Sequence, residues 1–158
     1  MATLEYRSFA ELKEDIQALV DDALKYEVAD AIKDCEALTI EKVVYDVYSP
    51  NTYERREYEG GLADPENMVE YVKNGTLTVD NLTEFNQYPA SSNSGIGLAE
   101  LVEYGDGGGG YHYDYGRPGA EFKHPRPFTQ ETINTLKSSK LHVEVLKKAL
   151  RARGLDVK

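Results

Sequence analysis

The side chains of this sequence with most chemistry to offer gather in one short stretch. Asp106 precedes four consecutive glycines, Gly107–Gly110; Tyr111-His112-Tyr113-Asp114-Tyr115 follows, and His124 lies a few residues on. A glycine run invites a phosphate cradle. Such a loop, however, ends in Gly-Lys-Ser/Thr and opens directly into a helix, so that the lysine and free backbone donors converge on the phosphates. Neither feature is present. His112 and Asp114 are two residues apart and would share one side of an extended strand, where with His124 they offer metal ligands. A metal centre needs ligands oriented by a supporting layer of hydrogen bonds, and a run of glycines is a poor frame for them. The carboxylates are numerous but scattered, and there is no tryptophan to form a sugar platform. Neither Gly-x-Ser-x-Gly nor His-Glu-x-x-His occurs. No catalytic residue, no cofactor and no metal is expected. The competing enzymatic reading, a small metal-dependent hydrolase or nuclease, rests on His112, Asp114 and His124 alone.

The aromatic residues point towards binding. Twelve of the sixteen are tyrosine, and Tyr48, Tyr53, Tyr58, Tyr88, Tyr104, Tyr111, Tyr113 and Tyr115 fall in segments that read as loops or edges. Tyrosine pairs an apolar body with a polar tip, which suits partly wet protein interfaces. The formal charge of −10 is unevenly spread: residues 1–40 carry a net −6, residues 41–106 a net −9, and residues 107–158 a net +5. A polyanion would be repelled by most of this surface, so sequence-specific nucleic-acid binding is not expected. The asymmetry fits a solvated acidic protein with a basic last helix, and also a head-to-tail assembly in which an acidic face of one copy meets a basic face of the next; charge alone does not decide between them. With one cysteine, Cys35, neither a disulfide framework nor a multi-cysteine zinc site is possible. No apolar run approaches a membrane span, and the start lacks the regions of a secretory signal, so synthesis in a reducing cytoplasm is expected.

The elements that must position these groups follow from periodicity. The 158 residues suffice for one domain. Ser8 with Glu11 has capping-box spacing, and apolar residues recur at three- and four-residue steps from Leu12 through Ile16, Leu19, Val20 and Ala23 to Cys35 and Leu38. This predicts a helix over 8–38, some 40 Å or more in length. That is long for so small a domain, and part of its stripe is expected to be covered by another element or another subunit. The β-branched and aromatic run Lys42–Tyr48 predicts a strand that stops at Ser49-Pro50. Asn74-Gly75 between Met68–Lys73 and Thr76–Val79 predicts a hairpin with a type I′ turn. Residues 42–104 thus form a sheet region with long loops, in which Leu98–Gly105 is a strand or a helical turn. Residues 105–124 are a Gly/Tyr-rich loop. Pro125 and Pro127 keep the approach to Phe128 extended, and a last helix spans 129–153 with Gly154 placed to end it. The expected class is α+β, a single domain with a long N-terminal helix, a small antiparallel sheet with a β-hairpin, and a C-terminal helix packed on the sheet.

Three segments together resemble a known family. Tyr48-Ser49-Pro50-x-x-Tyr53-x-Arg55-Arg56 with Gly60-Gly61-Leu62, Leu101-Val102-Glu103-Tyr104-Gly105, and Pro125-Arg126-Pro127-Phe128 leading into the closing helix with Leu146-Lys147-Lys148-Ala149-Leu150 are similar to stretches of the tail-completion or head–tail joining (neck) proteins of long-tailed lambdoid-type bacteriophages. The resemblance implies an α+β subunit that assembles as a homo-oligomeric ring between capsid portal and tail tube, with no catalytic residues. It implies a virion protein, present in the host cytoplasm during assembly. The implied partners are further copies of itself and other phage neck, connector or tail proteins; no membrane is involved, and DNA at most passes through the ring lumen. Tyr53, Arg55, Arg56, Tyr58, Tyr111, Tyr113, Tyr115 and Arg126 are the candidate interface residues. A host-directed adaptor using the tyrosine-rich loop is the remaining alternative.

Overall fold

A computed structural model describes residues 8–47, 56–83, 97–105 and 124–158. The class is α+β: a long N-terminal helix, a two-stranded antiparallel sheet and C-terminal helices. Ser8 begins the first helix as expected, its Oγ accepting from Glu11 N at 3.2 Å. Helix α1, Phe9–Ala23, passes without a break through a π-helical turn, Leu24–Val28, into α2, Ala29–Ile40, and a second π-helical turn, Glu41–Tyr45.

The strand expected over Lys42–Tyr48 is therefore not formed: its first four residues complete the helix, and Asp46 and Val47 form a turn. Nothing between Thr39 and Ser49 breaks a helix, and Val44 lies four residues beyond Ile40, so both are buried on one helical face. Burial outweighs the modest intrinsic β preference of Val and Tyr.

The hairpin forms as expected. Strand β1, Met68–Lys73, pairs with β2, Thr76–Asn81. Asn74 and Gly75 have φ of 52° and 74°, the two positive values a type I′ turn demands. Leu98–Tyr104 is helical, α3, and ends at Gly105 with φ 71°.

The single expected C-terminal helix is two helices: α4, Phe128–Ser139, and α5, Leu141–Ala152. Between them Lys140 is left-handed, φ 54°. Ser138 Oγ bonds back to Thr135 O at 3.0 Å, the competition with the helical ladder that makes serine a weak helix former. Lys140 O then accepts from Val143 N and Glu144 N, restarting the ladder. Gly154 ends α5 as expected: it has φ 91°, and Leu155 N bonds Leu150 O, the closure of a Schellman motif.

The chain divides into two compact units. The first comprises residues 1–32, 70–79 and 140–158. Its core is Ala23, Ala149 and Leu150, with Val20, Leu146, Leu155 and Val157 packed around them. The small Ala23 and Ala149 let α5 approach α1 closely. The second comprises residues 33–69 and 80–139, and buries Ile40, Met68, Thr83, Leu62, Val102 and Phe128.

Candidate functional site

In the second unit, the residues from Arg56 to Asn67 are an irregular segment fastened by polar groups. Asp64 is its organiser: Oδ2 accepts from Gly60 N at 2.6 Å and Oδ1 from Glu66 N at 2.9 Å, capping the short 3₁₀ turn Pro65–Asn67. Tyr45 OH accepts from Ala63 N at 3.2 Å, so the π-helical end of the long helix supplies a fixed point. Asn67 Nδ2 donates to Gly61 O at 3.0 Å, and Thr83 Oγ1 lies 3.3 Å from the same oxygen. Gly61 is sterically obligatory, since a Cβ there would collide with the backbone of Glu57. Arg56 and Tyr58 are thus carried on a braced segment, Arg56 partly buried and Tyr58 46% exposed.

Beside this brace lies a buried carboxylate, Glu36, 5% exposed. Asn81 Nδ2 donates to Glu36 Oε1 at 3.0 Å and to Leu62 O at 2.9 Å, while Asn81 Oδ1 accepts from Thr83 N and Thr83 Oγ1. Glu36 is buried, and that burial pushes its carboxyl above the usual 4.5; the Asn81 hydrogen bond opposes the shift, and the negative charges of Glu103 and Asp80 add to it. Burial also raises the Cys35 thiol, which sits in the core as a small hydrophobe rather than as a nucleophile. The Tyr58 hydroxyl is raised by partial burial and by a hydrogen bond with Glu41.

The first unit presents two charged faces. α1 carries Glu11, Glu14, Asp15, Asp21 and Asp22 against one Lys13. At 100° per residue Phe9, Leu12, Ile16 and Leu19 share a stripe with Ala23, and Glu11, Asp15 and Asp22 run along one flank of it. Burial along the stripe is greatest at its C-terminal end: Ala23 is buried, Leu12 and Leu19 are half-buried, Ile16 is 39% exposed and Phe9 is 82% exposed. The hairpin tip meets the opposite flank, where Gly75 N donates to Asp21 Oδ1 at 3.1 Å. α5 carries Lys147, Lys148 and Arg151, with Lys140 before it and Arg153 after it. Arg153 makes a bidentate pair with Glu27, 2.8 and 2.9 Å, which holds the Glu27 carboxyl below its usual range. Lys148 and Arg151 lie on the exposed side of α5.

Of the residues singled out by sequence, the structure places Arg56, Tyr58 and Arg126 in the second unit. Arg126 is partly buried, and its backbone N donates to Val102 O at 2.9 Å, fixing the approach to α4. Tyr53, Arg55, Tyr111, Tyr113 and Tyr115 lie outside the described residues, as do His112 and Asp114; His124 is exposed. Sequence reasoning missed the Glu36–Asn81–Thr83 network, because Glu36 is 45 residues from Asn81 and each member reads alone as an ordinary polar residue. Among the described residues, no group of three His, Cys, Asp or Glu side chains is arranged to hold a metal, and no helix is long and apolar enough to cross a membrane.

Comparison with curated proteins and with solved structures finds no match. A family model does match, and over nearly the whole chain: residues 8–152 fit that of YomN, spanning everything from the Ser8 cap to the end of α5. The chain therefore belongs to the YomN family, a family of phage-derived proteins.

Proposed function

We propose that this protein is a non-enzymatic structural component of a phage virion, acting at the neck or tail in tail completion or head–tail connection, and that it works as a ring of identical copies. The observation that carries this reading is the exposed half of the α1 stripe. Phe9 and Ile16 stand in solvent beside a line of carboxylates while the same unit bears a basic α5. Contiguous apolar side chains kept at a surface are a cost unless another surface covers them. Membership of a phage-derived family supplies the setting in which repeated copies meet. A closed ring needs two different, complementary patches on each subunit, and α1 and α5 are candidates for the pair. The partners in this reading are other copies of the chain and neighbouring neck, connector or tail proteins, with DNA only passing through the lumen. The protein would reside in the virion and in the host cytoplasm before assembly.

Electron microscopy of particles made without this gene tests the role. Separate heads and tails are expected. Tails joined to filled heads in its absence would refute a neck function, and a catalytic activity of the purified monomer would overturn the structural reading.

A further inference from the structure

We infer that the N-terminal half of α1 in one copy docks on the outer face of α5 in the next. This names the surface on which the ring reading rests, and it rests on that reading.

The two faces match in shape and in charge. On α1 the stripe Phe9, Leu12, Ile16 and Leu19 is bordered by Asp15. On α5 the side away from the core carries Leu141, half-buried Val145 and Ala152 in a line, with Lys148 and Arg151 beside them and one carboxylate between, Glu144, which pairs with Lys147 at 3.4 Å and leaves the flank net basic. Leu141 is 40% exposed. Both faces are amphipathic, and they flank their apolar lines with opposite charge. Docking them covers apolar surface while bringing carboxylate and ammonium groups together, the complementarity that fixes register at an interface.

Two features of the same unit favour this occupant. Within one copy, α5 already packs against α1 through Val20, Ala23 and Leu146, and Arg153 already pairs with Glu27. The two helix types are therefore compatible in packing and in charge. Antiparallel stripe-on-stripe packing between two α1 helices is the alternative homotypic contact, and it crowds the Glu11, Asp15 and Asp22 flanks of like charge against each other, which is destabilising. The α1 and α5 patches lie on different surfaces of one subunit, so the contact is heterologous and propagates from copy to copy until it closes.

Cross-linking tests the surface directly. Cys35 is buried, so a cysteine introduced at an exposed position is the reactive one. Two pools of protein, Ile16→Cys and Leu141→Cys, both at exposed positions, are mixed at high concentration and low salt and oxidised. The expected product is a mixed disulfide between the pools. Homodimers of the Ile16→Cys pool alone would show stripe-on-stripe packing and overturn the proposal.

Charge exchange supplies the second arm, read by sedimentation velocity with circular dichroism confirming the fold. Asp15→Lys and Lys148→Asp singly should each weaken self-association by roughly tenfold, and Asp15→Lys/Lys148→Asp together should restore it, since the pair of charges is kept with its signs exchanged. Self-association indifferent to all three variants overturns this surface and leaves the ring reading standing. Wild-type protein that stays monomeric alone and with virion components defeats both.

Discussion

Replacing Phe128 with alanine tests whether the start of α4 anchors the second unit. The phenyl side chain is 1% exposed. A buried aromatic removes roughly 150–200 Å² from water, which at about 25 cal/mol per Å² corresponds to about 4–5 kcal/mol. The alanine methyl recovers about 1 kcal/mol of this. The cavity left behind adds to the loss to the extent that the surroundings cannot collapse. Here collapse is resisted by three hydrogen bonds that survive the substitution: Thr129 N to Glu103 Oε2 at 2.9 Å, Arg126 N to Val102 O at 2.9 Å, and Phe128 N to Arg126 O at 2.8 Å. The backbone therefore stays in place and the void stays open. A loss of about 3–5 kcal/mol is expected, measured by urea unfolding followed at 222 nm, and Phe128→Leu should cost less because it refills most of the space. A change below about 1 kcal/mol, the range of ordinary surface substitutions, would refute the reasoning.

Three further outcomes follow from named residues. The raised Glu36 carboxyl binds its proton more tightly in the folded than in the unfolded chain, so wild-type stability falls as pH climbs from about 4.5 through the higher folded value. Glu36→Gln keeps an acceptor for Asn81 and carries no charge, so it should be more stable than wild type at pH 7, with the difference vanishing below the unfolded pKa; a less stable variant at pH 7 would show the charge to be favourable. Gly75→Ala should cost about 1 kcal/mol, because an L side chain is strained in the left-handed region; the new Cβ would also press on Gln17 Nε2 at 3.1 Å, and an unchanged thermal midpoint would contradict this. Lys140→Gly should stabilise the chain by up to about 1 kcal/mol by relieving the left-handed strain between α4 and α5, whereas destabilisation in urea would mean that the lysine side chain contributes more than its backbone costs.

Local signals were legible wherever the chain's own chemistry decides the conformation. The Ser8 cap, the Asn74-Gly75 turn and the Gly154 stop each depend on a few adjacent residues, and each forms as read. The Lys42–Tyr48 segment was misread because β-branched and aromatic residues fit either a pleated strand or a buried helical face. The choice went to the helix that places Val44 beside Ile40 in the core. The last helix reads as one because 3.6-residue periodicity continues across Ser138-Ser139-Lys140, whereas Lys140 takes up the left-handed region, φ 54°, and divides it.

Sequence alone determined the balance of charge, the amphipathic α1 and basic α5, the tight turn and the α+β class, since all of these are properties of neighbours along the chain. Tertiary structure decided which part of the α1 stripe is covered. It also assembled the Glu36–Asn81–Thr83 network, whose members are 45 and 2 residues apart. Burial is set by what packs against a residue from elsewhere in the chain. The same leucine spacing can therefore describe a core face at Ala23 and an exposed one two turns earlier, at Ile16.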